Sequence, residues 1–500
     1  MSRSRFSVVC ALVLLAACDP EVGAPAGSSG GSSWGTTSDA TGEVSEAAAP
    51  VVREAASVAS GAGPVSAAVE AGPEAASVEA EPPIGYRVGR KGMVVLAEPR
   101  WGSEMRGRID MGQPFAIYEL VAGKGCTGEG WARVDQLGHV CLRDAAPSRR
   151  AGKPLPLLGP DKVVPYIYAK PRADRSGALL QPVARHRSAA ALGRGEAAGD
   201  WLQPNHQYAF VESRRLPEVG VVVLDRSRRA VKAELLEFER PSNFAGRELA
   251  ERPVPAGTLA AWSAEAPTLV RATPGLAGAV VGRVEYHREI AVAPTPVRRD
   301  GVDWYALQGE TAGYVSDEDI RRWIPGEPLV GVRSDEVWLD VELGEQTLTV
   351  LRGATPLFVT LISSGAGDNP TPRGLYRIWH KQALGDMRSL PGDPDSYTVE
   401  EVPWVQYFHR RFAFHAAFWH NKFGRKRSHG CINLSPRDAA RVFGQTAPAM
   451  PGGWTFVYEH EDEPGTTVRI RRGTEAVPDR RRPIGEAEAA ATAAEDPGGD

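Results

Sequence analysis

From residue 86 onward the sequence keeps returning to one pattern. Short apolar runs with a period of two are cut by glycine and by charged turns. That period sends successive side chains to opposite faces of a strand, whereas a helix needs apolar residues three and four apart. The pattern predicts a mainly β chain built from short strands, with helix as the exception. Two stretches show it most plainly and resemble each other. Residues 86–145 end in Gly130-Trp131-Ala132-Arg133-Val134 and Gly138-His139-Val140. Residues 256–323 end in Asp303-Trp304-Tyr305-Ala306-Leu307 and Gly313-Tyr314-Val315. Each reads as a small β module around a buried tryptophan, with boundaries at 84–145 and 256–325.

The intervening residues 146–255 are less patterned. Val163-Val164-Pro165-Tyr166-Ile167-Tyr168 and Val221-Val222-Val223-Leu224 look like strands, and 189–198 looks loop-like or helical. A further β-rich module, or an elaboration of its neighbours, is expected there. Residues 18–83 are different in kind: rich in Ala, Gly, Ser, Pro and Glu, with Trp34 almost alone among aromatic residues until the segment's end. Such a chain buries too little apolar surface to offset its conformational entropy, so it should act as a disordered tether. The tail from 474 to 500 has a similar character. The net charge is −4 over 500 residues. No basic domain or aromatic-basic stripe is present, which argues against nucleic acid as a partner.

The first residues read as a targeting segment. Arg3 and Arg5 precede an apolar run, Phe6 to Ala17, too short to span a membrane. The run ends Leu15-Ala16-Ala17-Cys18, which resembles the lipobox of bacterial lipoproteins. That resemblance implies removal of residues 1–17, lipidation of Cys18 and a place on the periplasmic face of a bacterial membrane. The alternative is an ordinary signal peptide with an incidental cysteine. Cysteine arithmetic points the same way. Once Cys10 and Cys18 are set aside, Cys126 and Cys141 form a close pair and Cys431 is left over. In an exported domain such a pair suggests a disulfide, the alternative being two buried thiols, and an odd thiol suggests reactivity.

Ser428-His429-Gly430-Cys431-Ile432-Asn433-Leu434 sets that odd thiol beside an imidazole and a glycine, after the basic run Arg425-Lys426-Arg427. The thiolate is the nucleophile, and nearby positive charge favours it. A neighbouring base activates it further. His415, on the alternating run Phe412-Ala413-Phe414-His415, is the candidate base.

His415, the spacer and Ser428-His429-Gly430-Cys431 resemble the signature of the L,D-transpeptidase catalytic domain, the YkuD family. Asn433 fills a position where the family carries Arg or Asn, and Ala416 stands where it commonly has glycine. Gln346-Thr347-Leu348-Thr349-Val350 resembles the family's opening strand. Ser363-Ser364-Gly365 and Thr371-Pro372-Arg373-Gly374-Leu375-Tyr376-Arg377-Ile378 resemble its next conserved segment. The resemblance covers residues 329–460. The endings of the two small modules likewise resemble bacterial SH3-like barrels. The fold expected is therefore a mainly β catalytic domain with one or more helices, preceded by SH3-like modules.

The family resemblance implies roles. Cys431 is the nucleophile, His415 the base and later the proton donor, and His429 a third candidate. Ser428 and Gly430 shape the loop. Backbone N–H groups around Gly430 and Cys431 are candidates to hold an oxyanion. Asn433 and Tyr407 are placed as supporting or substrate-binding residues. Tyr407, Trp404 and Trp419 can line a groove or simply pack in the core. The substrate implied is a peptidoglycan stem peptide, with cross-links or wall-attached proteins as product and no cofactor. A hydrolase using water on the same domain is an alternative, and a catalytically idle wall-binding protein is another. His409 and His420 can be grouped with His415 and His429 as a metal cluster, but a zinc site would consume Cys431, so none is expected. Ser435, Pro436 and Asp438 read as the N-cap, first residue and capping-box acid of a helix after the cysteine loop.

Overall fold

The computed structural model describes residues 82–135, 138–159, 161–265, 267–309, 311–389 and 396–484. The leader, Cys18, nearly all of the tether and the end of the tail lie outside the described residues. Strands dominate: among the described residues the α-helices are Ala189–Gly193 and Pro436–Gln445.

Three small β modules share one strand order. In the first, Gly85–Gly89 lies between Pro114–Ile117 and Ala145–Ser148, both antiparallel to it. In the second, Ile167–Pro171 lies between His206–Phe210 and Leu236–Phe238. In the third, Leu259–Ser263 lies between Glu289–Val292 and Ile320–Arg322. Each time the first strand pairs with the fourth and with the last. The stretch 146–255, only loosely legible in sequence, thus repeats the topology of its neighbours. It lacks their buried tryptophan. Phe210, Val223 and Val231 fill its core, whereas Trp131 and Trp304 are buried in the other two.

Residues 337–471 form a sandwich. Its first sheet holds β1 (Val337–Glu342), β2 (Thr347–Arg352), β3 (Thr355–Leu361), β4 (Gly374–Arg377) and a late strand, Thr467–Arg471, running parallel to β1. The β1–β2 turn closes beyond the Glu342–Thr347 pair, with Gly344-Glu345 at its centre. The second sheet holds β5 (His380–Arg388), β6 (Thr398–His409), β7 (Phe412–Ala416) and β8 (Ile432–Leu434). Helix α1 (Pro436–Gln445) follows, then β9 (Trp454–Tyr458), which pairs with β5. Leu339, Val350, Phe414, Ile432, Val442 and Ile470 meet between the layers. Burial of each such side chain is worth roughly 1.5–3 kcal/mol.

Two expected boundaries move. The catalytic unit runs past 460 to Arg471, because the late strand completes the first sheet. Residues 478–480, expected to belong to a disordered tail, lie against the first sheet. Leu375 N–H donates to Pro478 O and Arg480 N–H donates to Leu375 O, which lays residues 478–480 beside β4.

The modules grip the sandwich at different places. Met105–Ile109 of the first pairs with β9. His206 and Gln207 of the second pair in parallel with Thr398 and Val399 of β6. The third packs Trp262 against Leu361, Ala417 and Phe423.

Candidate active site

Strands β7 and β8 run parallel, with Phe414 opposite Ile432 and His415 opposite Asn433. Residues paired this way point to the same face, and the face alternates along each strand. Phe414, Ala416, Ile432 and Leu434 enter the sandwich core. Ala413 and Cys431 pack into a separate apolar cluster on the other face, with Val402, Val405 and Phe418. Alternation therefore sets His415 and Asn433 on the same face as Cys431.

The thiol is half-buried at the start of β8. Its Sγ lies 3.8 Å from the Arg411 carbonyl, to which the S–H donates. Burial pushes the Cys431 pKa up, against the opposing pull of the Ala413 N–H and the Arg411 charge. His415 is 2% exposed, and its Nδ1 lies 3.1 Å from the Ala416 carbonyl. A carbonyl can only accept, so Nδ1 carries the hydrogen and Nε2 keeps its lone pair. Burial holds the His415 pKa down to about 4. The resting pair is a thiol and a neutral imidazole whose basic nitrogen is Nε2.

The loop before the thiol is held from several sides. Ser428 Oγ donates to Cys431 O at 2.5 Å and accepts from Gly430 N–H at 3.1 Å. That engagement takes the Gly430 N–H out of the expected oxyanion set. Gly430 has φ +109°, and a Cβ there would collide with the Phe412 ring. Only glycine fits on both counts. Thr371 Oγ1 accepts from Gly365 N–H at 2.9 Å and donates to Gly430 O at 2.8 Å. One hydroxyl thus ties the Ser363–Gly365 segment to the loop that precedes Cys431.

Residues 336–470 match the family model described as "L,D-transpeptidase catalytic domain". They are an L,D-transpeptidase catalytic domain of the YkuD type. The chain is 29% identical over 126 residues to the "Putative L,D-transpeptidase YciB" of Bacillus subtilis, a match covering 22% of this chain and 62% of that protein. It also resembles solved structures. With L,D-transpeptidase 3 of Mycobacterium tuberculosis the identity is 18%, the coverage 37% of this chain and 91% of that one, and the TM-score 0.23. With the catalytic domain of the E. faecium L,D-transpeptidase the values are 22%, 27%, 98% and 0.22. With the Stackebrandtia nassauensis L,D-transpeptidase they are 19%, 29%, 58% and 0.21. The match thus spans less than two thirds of the Bacillus and Stackebrandtia chains.

Within the transpeptidase domain the other anticipated residues divide. His429 is exposed and stacks on Tyr397, with centroids 5.2 Å apart. Its ring therefore sits on the outer side of the loop. Tyr407 lies opposite Ala413 on β6, hence on the Cys431 face, and stacks on His380 at 5.4 Å. Trp404 is core. Trp419 is half-buried, its ring 5.7 Å from that of His415. His409 packs against Tyr376 at 4.9 Å.

Asn433 has a partner that sequence reasoning missed. His420 Nδ1 accepts from Lys422 N–H at 3.1 Å, so the hydrogen of this neutral ring sits on Nε2. That Nε2 lies 3.0 Å from the Asn433 amide. The donor requires an acceptor, which places the Asn433 amide oxygen toward His420. The available signal was His420, which the sequence offers only as a member of a metal cluster.

Helix α1 fixes the far end of β8. Ser435 Oγ caps it by accepting from Asp438 N–H at 3.2 Å. The Asp438 carboxylate does not close the expected capping box. It accepts from Thr360 at 2.5 Å and from Gly246 N–H at 2.9 Å, tying the helix to β3 and to the linker before the third module. That module also holds the loop that precedes Ser428. Arg321 donates to Gly424 O and Arg425 donates to Ala264 O, both at 2.8 Å. The first module carries a Cys126–Cys141 disulfide, Cα–Cα 5.6 Å.

Proposed function

We propose that this chain is a cysteine-dependent L,D-transpeptidase acting on peptidoglycan stem peptides. One observation carries the reading: a thiol and an imidazole with a basic Nε2 share one face of the β7–β8 pair in a transpeptidase domain. His415 Nε2 takes the thiol proton as Sγ attacks the carbonyl of the third stem residue. The C–N bond to the terminal D-alanine breaks, His415 returns the proton to the leaving amine, and a thioester remains on Cys431. An acceptor amine on a second stem, or on a protein, gives its proton to His415 and takes the acyl group as the C–S bond breaks, and His415 returns that proton to Cys431 Sγ. Splitting the transfer in two lowers each barrier.

The buried, tautomer-fixed base favours turnover over an idle wall-binding role. Muropeptide analysis of sacculi treated with purified protein tests the reading. New cross-links that vanish with Cys431→Ala are expected. Trimmed stems without cross-links would instead select the hydrolase, and an unchanged profile would sink both.

Anchoring through lipid on Cys18 at the periplasmic face belongs to the same proposal, supported by the lipobox resemblance and by a disulfide suited to an oxidising compartment. Wild type should partition into detergent and Cys18→Ala should not. Equal aqueous partitioning would rule the anchor out.

A further inference from the structure

A second polar site lies far from Cys431. A cavity of ≈ 90 Å³ opens between the first β module and the turn after β9, lined by Arg106, Arg133, His139, His460 and Asp462. Two of these are arginines and two are histidines, and the four come from separate segments. Arg106 is on Met105–Ile109, Arg133 on Trp131–Arg133, His139 on His139–Cys141, and His460 follows β9.

His460 is the decisive residue. It is 3% exposed, yet neither ring nitrogen has a hydrogen-bond partner among the described residues. The nearest carboxylates, Asp462 at 3.8 Å and Glu463 at 3.9 Å, are beyond hydrogen-bond reach. Leaving a buried polar group unsatisfied costs about 1–3 kcal/mol. A ligand in the cavity would remove that cost. Arg106 spends one terminal nitrogen on Glu104 at 3.2 Å. The fork of a guanidinium matches a planar carboxylate with two parallel bonds. Arg133 is engaged with Glu119 through Nε at 3.4 Å and adds positive charge to the wall. His139 holds Ala97 O through Nδ1 at 3.0 Å.

We infer that this cavity binds a small monoanionic carboxylate, such as a free amino acid or the C-terminus of a peptide. Its size admits a small acid. Asp462, with its side chain 92% exposed, repels a dianion and can receive an ammonium group. The site is separate from the catalytic face. Four strand spacings, β8 to β7 to β6 to β5 to β9, put it about 19 Å from Cys431.

Isothermal titration of the full chain with acetate, D-alanine, D-alanyl-D-alanine and inorganic phosphate tests this, at matched ionic strength. At least one carboxylate is expected to bind with a single site. Affinity should fall about tenfold with His460→Gln and with Arg106→Lys, which keeps the charge but loses the fork. Tighter binding of the dipeptide would mark a peptide end as the ligand, and tighter binding of D-alanine or acetate a free acid; either supports the site. Binding must persist in Cys431→Ala, so the result stands apart from the transpeptidase reading. No heat from any carboxylate, a preference for phosphate, loss of binding in Cys431→Ala, or affinity unchanged in both folded pocket variants would each overturn it.

Discussion

At Cys431 burial and reactivity pull in opposite directions. A thiol half-withdrawn from water titrates high, and the structure offsets this only with one backbone N–H and the Arg411 charge. His415 is held neutral by its own burial. The free site should therefore rest as thiol and imidazole, and proton transfer should accompany attack. Iodoacetamide alkylation followed by intact mass should show a midpoint above the ordinary thiol value of about 8.5. A midpoint near or below neutrality would mean a preformed ion pair and would contradict this account. His415→Ala should lower turnover by at least about 100-fold. Gly430→Ala should also impair turnover, because φ +109° and the Phe412 ring both oppose any side chain. Wild-type cross-linking by the Gly430→Ala variant would show that the loop yields cheaply. Cys431 and His415 could be picked out as candidates from the sequence motif, and the β7–β8 register sets them on one face. The His420–Asn433 bond was not legible there, since its partners lie thirteen positions apart and only the fold around β7 and β8 brings them together.

At the scale of elements, α1 shows where local signals stop. Ser435 and Pro436 announce the helix start, and both perform as their positions demand. Asp438 looked like a local capping acid, but its partners Thr360 and Gly246 come from distant chain segments that no window around the helix contains. Its burial, with Glu248 nearby, raises the carboxyl pKa to about 6. The sign follows. A folded pKa above the unfolded one means the native state holds the proton more tightly. Stability from this group is full below the unfolded value of about 3.9 and is lost as pH rises through about 6, a swing of about 3 kcal/mol. Urea midpoints should thus fall for wild type relative to Asp438→Asn between pH 4 and 7. Parallel curves for the two proteins would exclude a proton on Asp438.

At the scale of the molecule, three modules of one topology hold one sandwich at different edges, and the first is joined to it by strand pairing between Met105–Ile109 and β9. The catalytic motif and the two tryptophan-bearing modules could be read from the chain. The middle module could be read only as a β-rich stretch, because its core has no tryptophan to mark it as a repeat of its neighbours. The disulfide gives a way to ask whether the first module is an independent unit of stability. Cys126 and Cys141 enclose a loop of sequence separation 15, worth about 3 kcal/mol in the chain-entropy model. Cys141 packs with Leu96 and Trp131, and Met105 lies against them. Loosening this cluster should therefore free the strand that pairs with β9 before it reaches β7 and β8. In the Cys126→Ser/Cys141→Ser variant, hydrogen exchange should quicken across 105–109 and 131–141. Exchange in 412–416 and 432–434 should keep wild-type rates, and so should the alkylation midpoint of Cys431. Uniform acceleration through the sandwich would instead show that module and catalytic domain unfold as one cooperative unit, and no acceleration at 131–141 would show that the packing around Trp131 suffices without the bridge.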